Sequence, residues 1–230
     1  MLIRWLSSAA TALALTLADG TAQAMNEDRA SYRIALAGIS VADMEIAVQR
    51  DGDRYNARLE GNYQVLFWSG GVSSRSIGEI GAAGPNPSRF ETSNKSDEPS
   101  RTVIEFGKLE GPVQWQRTPP APTEWTEGRT PLQKSHLRSA LDPVSAIASS
   151  AIGPIGTTAD DVCNRNVRIF TGTTVFELQL MGVLESGSDH VRCAVTYQPL
   201  SGHREDSASV ERLSKPGSIQ ISFDRLPSGA

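Results

Sequence analysis

The chain is organised around the stretch from Leu141 to Cys193, which opens with the sequence LDPVSAI at positions 141–147. Asp142 is a good helix N-cap, because its carboxylate can accept hydrogen bonds from the unpaired amides of the first turn. Pro143 suits the first helical position, where its missing N–H costs nothing. Apolar residues recur at three- and four-residue spacing from Val144 onward, which predicts a short helix with one apolar stripe. A helix this short is marginal alone, so we expect it to pack against a sheet.

The sequence before this helix predicts antiparallel strands that each bury one face. Apolar and polar residues alternate through residues 42–48 and again through 55–65, which is typical of half-buried strands. Asp51-Gly52 between them is a strong turn signal, since glycine accepts a positive φ without steric cost. We therefore predict a mainly β fold: a curved antiparallel sheet or incomplete β-barrel with one short helix packed against it.

Three segments lack a strand pattern. Residues 81–87 are rich in glycine, alanine and proline and predict a loop. Residues 118–122 contain three prolines and predict an extended crossing over the surface. Residues 199–216 are polar and charged and predict a long loop or a frayed helix.

The chain contains only two cysteines, Cys163 and Cys193. In an exported chain an even number of cysteines favours a disulfide, which would stabilise the fold by roughly 3–4 kcal/mol. We expect this disulfide to act with the predicted helix in closing the sheet. The alternative is a pair of free thiols, one of them catalytic. No histidine lies in a suggestive position nearby, and an exported thiol tends to oxidise.

Residues 1–24 have the pattern of a secretory signal peptide. Arg4 precedes a short apolar run, and Ala22-Gln23-Ala24 forms a cleavage motif. The apolar run is shorter than the roughly 20 residues that a membrane-spanning helix needs. The alternative is an uncleaved anchor. We expect residues 25–230 to form a single β-rich periplasmic domain that is soluble after cleavage.

The charge distribution argues against two classes of partner. The formal net charge is −4, and lysine and arginine are scattered along the chain. Nucleic acids and anionic membranes both require a basic face, so we expect neither as a partner. No segment after the predicted signal peptide is apolar enough to span a bilayer.

Four motifs together resemble a known family. They are, in chain order, Tyr32-x-Ile34 through Gly38, the LDPVSA helix start at 141–146, Cys163 followed by Ile169-Phe170-x-Gly172, and Val191-x-Cys193 with Tyr197. In this order and spacing they resemble the exported domain-of-unknown-function 3108 family of Gram-negative bacteria, from about Ser31 to Phe223. The resemblance implies a periplasmic β-rich domain and assigns no activity.

The residues that most often carry catalysis or bind metals form no recognisable motif. His136, His190 and His203 are far apart in sequence and lack the spacing of zinc ligands. The chain contains no G-x-S-x-G nucleophile elbow and no glycine-rich phosphate loop. We therefore predict no catalytic residue, metal or cofactor, and we interpret Asp142 as a helix cap before Pro143.

A binding or structural role is the remaining interpretation. A curved sheet closed by a helix can enclose an apolar cavity. The candidate lining of this cavity consists of Met44, Ile46, Tyr63, Phe67, Trp68 and Val144. We expect a non-enzymatic periplasmic module for an apolar small molecule or an envelope protein. Two alternatives stay open: these residues are ordinary core, or the protein is a periplasmic hydrolase that uses converging acidic residues.

Overall fold

Two antiparallel sheets form the fold in the computed structural model. The model describes residues 26–36, 39–65, 68–96, 98–107, 111–152, 158–188, 190–216 and 218–224. The predicted signal peptide, residues 1–24, lies outside this range. The predicted mainly β fold with a helix against a curved sheet is confirmed. The second sheet was not predicted.

The first sheet is a seven-stranded meander in which each strand pairs with the next along the chain. Its strands are β1 (Asn26–Leu36), β2 (Ile39–Asp51), β3 (Arg54–Val65), β4 (Trp68–Gly81), β5 (Gly84–Lys95), β6 (Ser100–Gly107) and β7 (Gly111–Thr118). The second sheet has the order β11-β10-β9-β8. Its strands are β8 (Asn164–Phe170), β9 (Val175–Ser186), β10 (His190–Ser201) and β11 (Ile219–Asp224).

The helices of the described chain are short. They are α1 (Thr123–Thr126), α2 (Lys134–Leu137), α3 (Pro143–Ile152), α4 (Ala159–Cys163) and α5 (Ala208–Leu213). Within the residues that the structure covers, no helix is long and apolar enough to cross a membrane.

The predicted hairpin of β2 and β3 supplies much of the first core. The two strands pair from Ala42–Tyr63 to Asp51–Arg54, and Gly52 turns the chain with a φ of 59°. Because side chains alternate along a strand, the apolar set of both strands faces one side. Ile46, Val48, Tyr55, Ala57 and Leu59 are all buried there.

Helix α3 packs against this core through Val144 and Ala148. It contacts β2, β3, β4 and β5 of the first sheet and β8 of the second. The backbone just before the helix is tied to β8: the Leu141 N–H donates to the Arg168 carbonyl at 2.9 Å, and the Phe170 N–H donates to the Leu141 carbonyl at 2.8 Å. The start of α3 therefore joins the two sheets.

The disulfide lies in the second sheet. Cys163 at the end of α4 is bonded to Cys193 of β10 with a Cα–Cα distance of 5.3 Å, which confirms the predicted pairing. Both cysteines are fully buried and pack with Leu180 and Val195 in a second core. The expectation that helix and disulfide close the same sheet is wrong: α3 closes the first sheet, and the disulfide ties α4 to the second.

Two of the predicted loops are shorter than expected. The turn between β4 and β5 comprises only residues 82 and 83, so most of the predicted loop at 81–87 is strand. Pro85 and Pro87 fit into β5 because β6 pairs with β5 only from Arg89 onward, so one side of this segment needs no N–H donors. For residues 199–216, where the sequence predicts a long loop or a frayed helix, β10 continues to Ser201 and the short helix α5 follows.

Candidate functional site

A buried polar cluster lies between the start of α3 and the first sheet. We call it the Asp142 cluster, and it consists of Tyr55 of β3, Ser76 of β4, Asp142, and Ser145 of α3. Asp142, Ser76 and Ser145 are 0% exposed, and Tyr55 is 3% exposed. Three elements that are distant in sequence therefore place polar side chains at one point inside the core.

Hydrogen bonds to the Asp142 carboxyl hold the cluster together. The backbone N–H of Ser145 donates to Asp142 Oδ1 at 2.9 Å. The hydroxyls of Ser76 and Ser145 donate to Asp142 Oδ2 at 2.8 and 2.6 Å. The Tyr55 hydroxyl is 2.7 Å from Ser145 Oγ. The carboxyl thus acts as the N-cap of α3 and also connects the helix to β4.

The local sequence explains both roles. The Ala146 N–H donates to the Asp142 carbonyl at 2.9 Å, so α3 begins at Pro143, as expected for an N-cap followed by proline. Ser76 lies opposite Ala57, whose side chain is on the buried face of β3. The sequence analysis did not predict this cluster. A polar residue at an inward strand position needs a buried partner, so Ser76 is the sequence signal that could have indicated it.

The surroundings of the Asp142 carboxyl shift its pKa. Burial raises the pKa, and the hydrogen bonds from Ser145 and Ser76 oppose that rise. Burial, together with the charge of Asp142, also raises the pKa of Tyr55, so this phenol stays protonated. The cluster contains three hydroxyls and one carboxyl, and its hydrogen bonds join the start of α3 to β3 and β4. We interpret it as holding α3 in place.

The raised pKa predicts a pH dependence of stability. The pKa of the Asp142 carboxyl is higher in the folded protein than the ordinary 3.8, so the folded state binds more protons than the unfolded state. The contribution of this carboxyl to the free energy of unfolding is therefore lost as pH rises through the folded pKa. We expect the Tm of the wild type to fall relative to that of Asp142→Asn as pH rises from about 4 to about 8. Thermal unfolding followed by circular dichroism measures this difference. A difference that stays constant with pH would mean that the pKa is not raised.

An open cavity of about 500 Å³ lies next to the cluster, with Tyr55 in its wall. Ile77 of β4, Pro87 of β5 and Phe106 of β6 supply further apolar surface. We call it the Tyr55 cavity. Its volume is in the range of about 300–1,000 Å³ that small-molecule sites occupy.

Charged residues at the rim of the Tyr55 cavity balance one another. Arg50 and Arg54 are matched by Asp51 and Glu79, and Arg50 is paired with Asp28 of β1 at 2.5 Å. The cavity lining thus carries charges of both signs, and Ile77, Pro87 and Phe106 give it apolar surface.

The predicted lining residues do not form this cavity in the described structure. Ile46 and Val144 are 3% and 1% exposed and belong to the first core. Met44 is partly buried and lies in the wall of another open cavity, of about 570 Å³, beside the charged residues Asp43, Glu45 and Glu60.

The other predicted lining residues lie outside what the structure describes. Phe67 is outside the described residues altogether. Tyr63 belongs to β3 and Trp68 to β4, and their side chains are not described. A ligand-binding role for these residues stays a prediction. Sequence reasoning missed Ile77 and Phe106 as cavity residues, because no local pattern shows which strand ends meet at the cavity.

The three histidines lie in separate environments. His136 belongs to α2, and His190 of β10 is 3.3 Å from Glu185. His203 is 8% exposed, and its Nε2 is 2.5 Å from the Tyr197 hydroxyl. Burial lowers the pKa of His203 and raises that of Tyr197 to about 12. Among the residues that the structure covers, no group of three or more His, Cys, Asp or Glu side chains is placed to hold a metal ion.

Comparisons with known proteins add no assignment. A scan against protein-family models, a search of curated proteins and a search of solved structures found no significant match. The resemblance to the domain-of-unknown-function 3108 family therefore stays a prediction.

Proposed function

We propose that the protein is an exported, non-enzymatic module that binds an apolar small molecule in the Tyr55 cavity. The observation that carries this proposal is the position of Tyr55. Tyr55 is one of the residues that line an open cavity, and its hydroxyl is 2.7 Å from Ser145 Oγ at the start of α3. A ligand in the cavity would therefore lie beside a side chain that also holds the helix.

The side chains beneath α3 support a role for this helix as a plug. The residues that it buries include Val144, Ser145, Ala148 and Ser149, and Ile147 is partly buried against the same core. The hydrogen bonds of the Asp142 cluster add to this apolar packing in fixing the start of the helix. We propose that an apolar chain entering from the Tyr55 cavity extends beneath α3 by displacing it.

Two features support an exported location. The Cys163–Cys193 disulfide fits an oxidising compartment. The sequence of residues 1–24 has the pattern of a signal peptide. With the family resemblance, these features favour the periplasm.

The substitution Ile77→Glu tests the cavity. Ile77 lies in the apolar wall, so a carboxylate there should weaken apolar binding by about tenfold or more, which corresponds to about 1.4 kcal/mol. A dansyl-labelled undecanoic acid serves as the probe, and its fluorescence enhancement gives the Kd. We expect the wild type to bind it.

The matched control is Leu184→Glu. Leu184 is 52% exposed on β9 of the second sheet and does not line the cavity, so this variant should bind the probe like the wild type. No binding by the wild type, or an equal loss in both variants, would contradict the proposal.

A further inference from the structure

Exposed aromatic side chains are concentrated at the last strand of the first sheet. Six large apolar side chains are exposed in the described part of the chain, and Val113 (55%), Trp115 (37%) and Trp125 (44%) are three of them. Arg117 connects the two tryptophans: it follows Trp115 by two positions on β7, and its guanidinium lies 5.3 Å from the centre of the Trp125 ring. We call these four residues the Trp115 patch.

The composition of this patch is typical of a binding surface. Tryptophan and arginine are the residues most enriched at the energetic centres of protein interfaces. The Trp115 ring is held in place by an edge-on contact with Phe170, with 5.0 Å between ring centres. The Trp125 ring is held against Arg117. Rings that are already fixed lose little conformational entropy on binding.

The patch lies on a sheet edge that carries no acidic residue. β7 pairs with β6, and no strand of the described chain pairs with its other side. Residues 113–116 read VQWQ and are all exposed. Edge strands are usually protected by charge, as β1 is, where Arg29 pairs with Glu27 and Glu45. The middle of β7 has no such protection, so it can accept an added strand.

The charge of Arg117 indicates which kind of strand fits. Its guanidinium donates to the Pro119 carbonyl at 2.7 Å, and it forms no ion pair with a carboxylate of the described residues. A second copy pairing antiparallel about Trp115 would place Val113 of that copy opposite Arg117, which leaves both guanidinium groups without an acid. A partner segment with an acidic residue opposite Arg117 fits the edge better.

We propose that β7 binds an extended segment of a partner protein as an added strand, with an acidic side chain on Arg117 and apolar side chains on Trp115 and Trp125. This proposal is independent of apolar-ligand binding. Backbone hydrogen bonds along the edge supply affinity, and the Trp115 patch supplies selectivity.

Two synthetic peptides test the proposal by isothermal titration calorimetry. Each is as long as β7, alternates valine with threonine, carries a short Gly-Ser extension for solubility, and has either glutamate or lysine at one central valine position, so that the charged side chain shares a face with the remaining valines. We expect the wild type to bind the glutamate peptide at least about tenfold more tightly than the lysine peptide. Arg117→Glu should reverse that preference.

Two further variants make the test specific. Arg212→Glu is the matched control: this exposed arginine lies on α5, so reversing its charge should leave the preference unchanged. Trp125→Ala should weaken binding of the glutamate peptide about threefold or more. This test does not require that the Arg117→Glu variant folds. Failure of the wild type to bind either peptide would overturn the proposal, as would a preference that Arg117→Glu leaves unchanged. If the wild type self-associates and Arg117→Glu abolishes that self-association, the edge binds a second copy of the chain and the proposal is overturned.

Discussion

The substitution Asp142→Ala should lower the free energy of unfolding by about 2–4 kcal/mol. The carboxyl caps α3 through Ser145 N and accepts the hydroxyls of Ser145 and Ser76, and all three residues are fully buried. Losing an N-cap costs about 1 kcal/mol, and a buried donor left without a partner costs about 1–3 kcal/mol. Because Ser76 Oγ and Ser145 Oγ lie 2.8 Å apart, the hydroxyls can partly pair with each other, and we count one donor as unpaired. Urea unfolding at the pH of maximum stability measures the change.

Two further variants distinguish the effect of losing buried hydrogen bonds from the effect of losing a helix cap. Asp161→Ala removes an acidic residue that accepts from Thr158 in the capping box of α4, but Asp161 is exposed, so the loss should stay within about 1 kcal/mol. Asp142→Asn keeps one acceptor oxygen and should cost less than Asp142→Ala. If Asp142→Ala costs no more than Asp161→Ala, the Asp142 cluster does not hold the helix in place.

Removing the disulfide should have an effect of similar size. With 30 residues separating Cys163 and Cys193, the double substitution Cys163→Ser and Cys193→Ser should cost about 3–4 kcal/mol, because the unfolded chain regains the freedom of the open loop. Urea unfolding of the oxidised wild type and the double variant gives the difference.

The position of the disulfide also predicts which strands are destabilised when it is removed. Cys193 packs with Leu180 and Val195 in the second core, so hydrogen exchange should accelerate in β9 and β10 before it does in β3. The unreduced wild type, once denatured, should show no free thiol. Two free thiols would contradict the disulfide, and equal acceleration in both sheets would contradict the separation of the two cores.

The sequence predicted those parts of the fold whose causes are local. The β2–β3 hairpin follows from strict alternation around Gly52, and the start of α3 follows from Asp142 and Pro143. The cysteine pairing follows from an even count in a chain that is predicted to be exported. In each case a few neighbouring residues, or the only candidates of their type, fix the outcome.

The remaining features depend on residues that meet only in the fold. The Asp142 cluster joins β3, β4 and α3, with 66 residues separating Ser76 from Asp142. The Tyr55 cavity forms where the ends of several strands come together, and alternation within one strand cannot indicate which ends those are. The division into two sheets was missed because an alternating pattern predicts a strand and does not identify its neighbours.

A native mass spectrum of the full chain, exported by a Gram-negative host and purified without detergent, tests the central claim most directly. The account predicts a population with an added mass that organic extraction removes and identifies as an apolar small molecule. Ile77→Glu should lose this population, and Leu184→Glu should retain it. A wild-type spectrum that shows only the bare chain, with the Cys163–Cys193 disulfide intact, would contradict the claim that the Tyr55 cavity holds an apolar ligand.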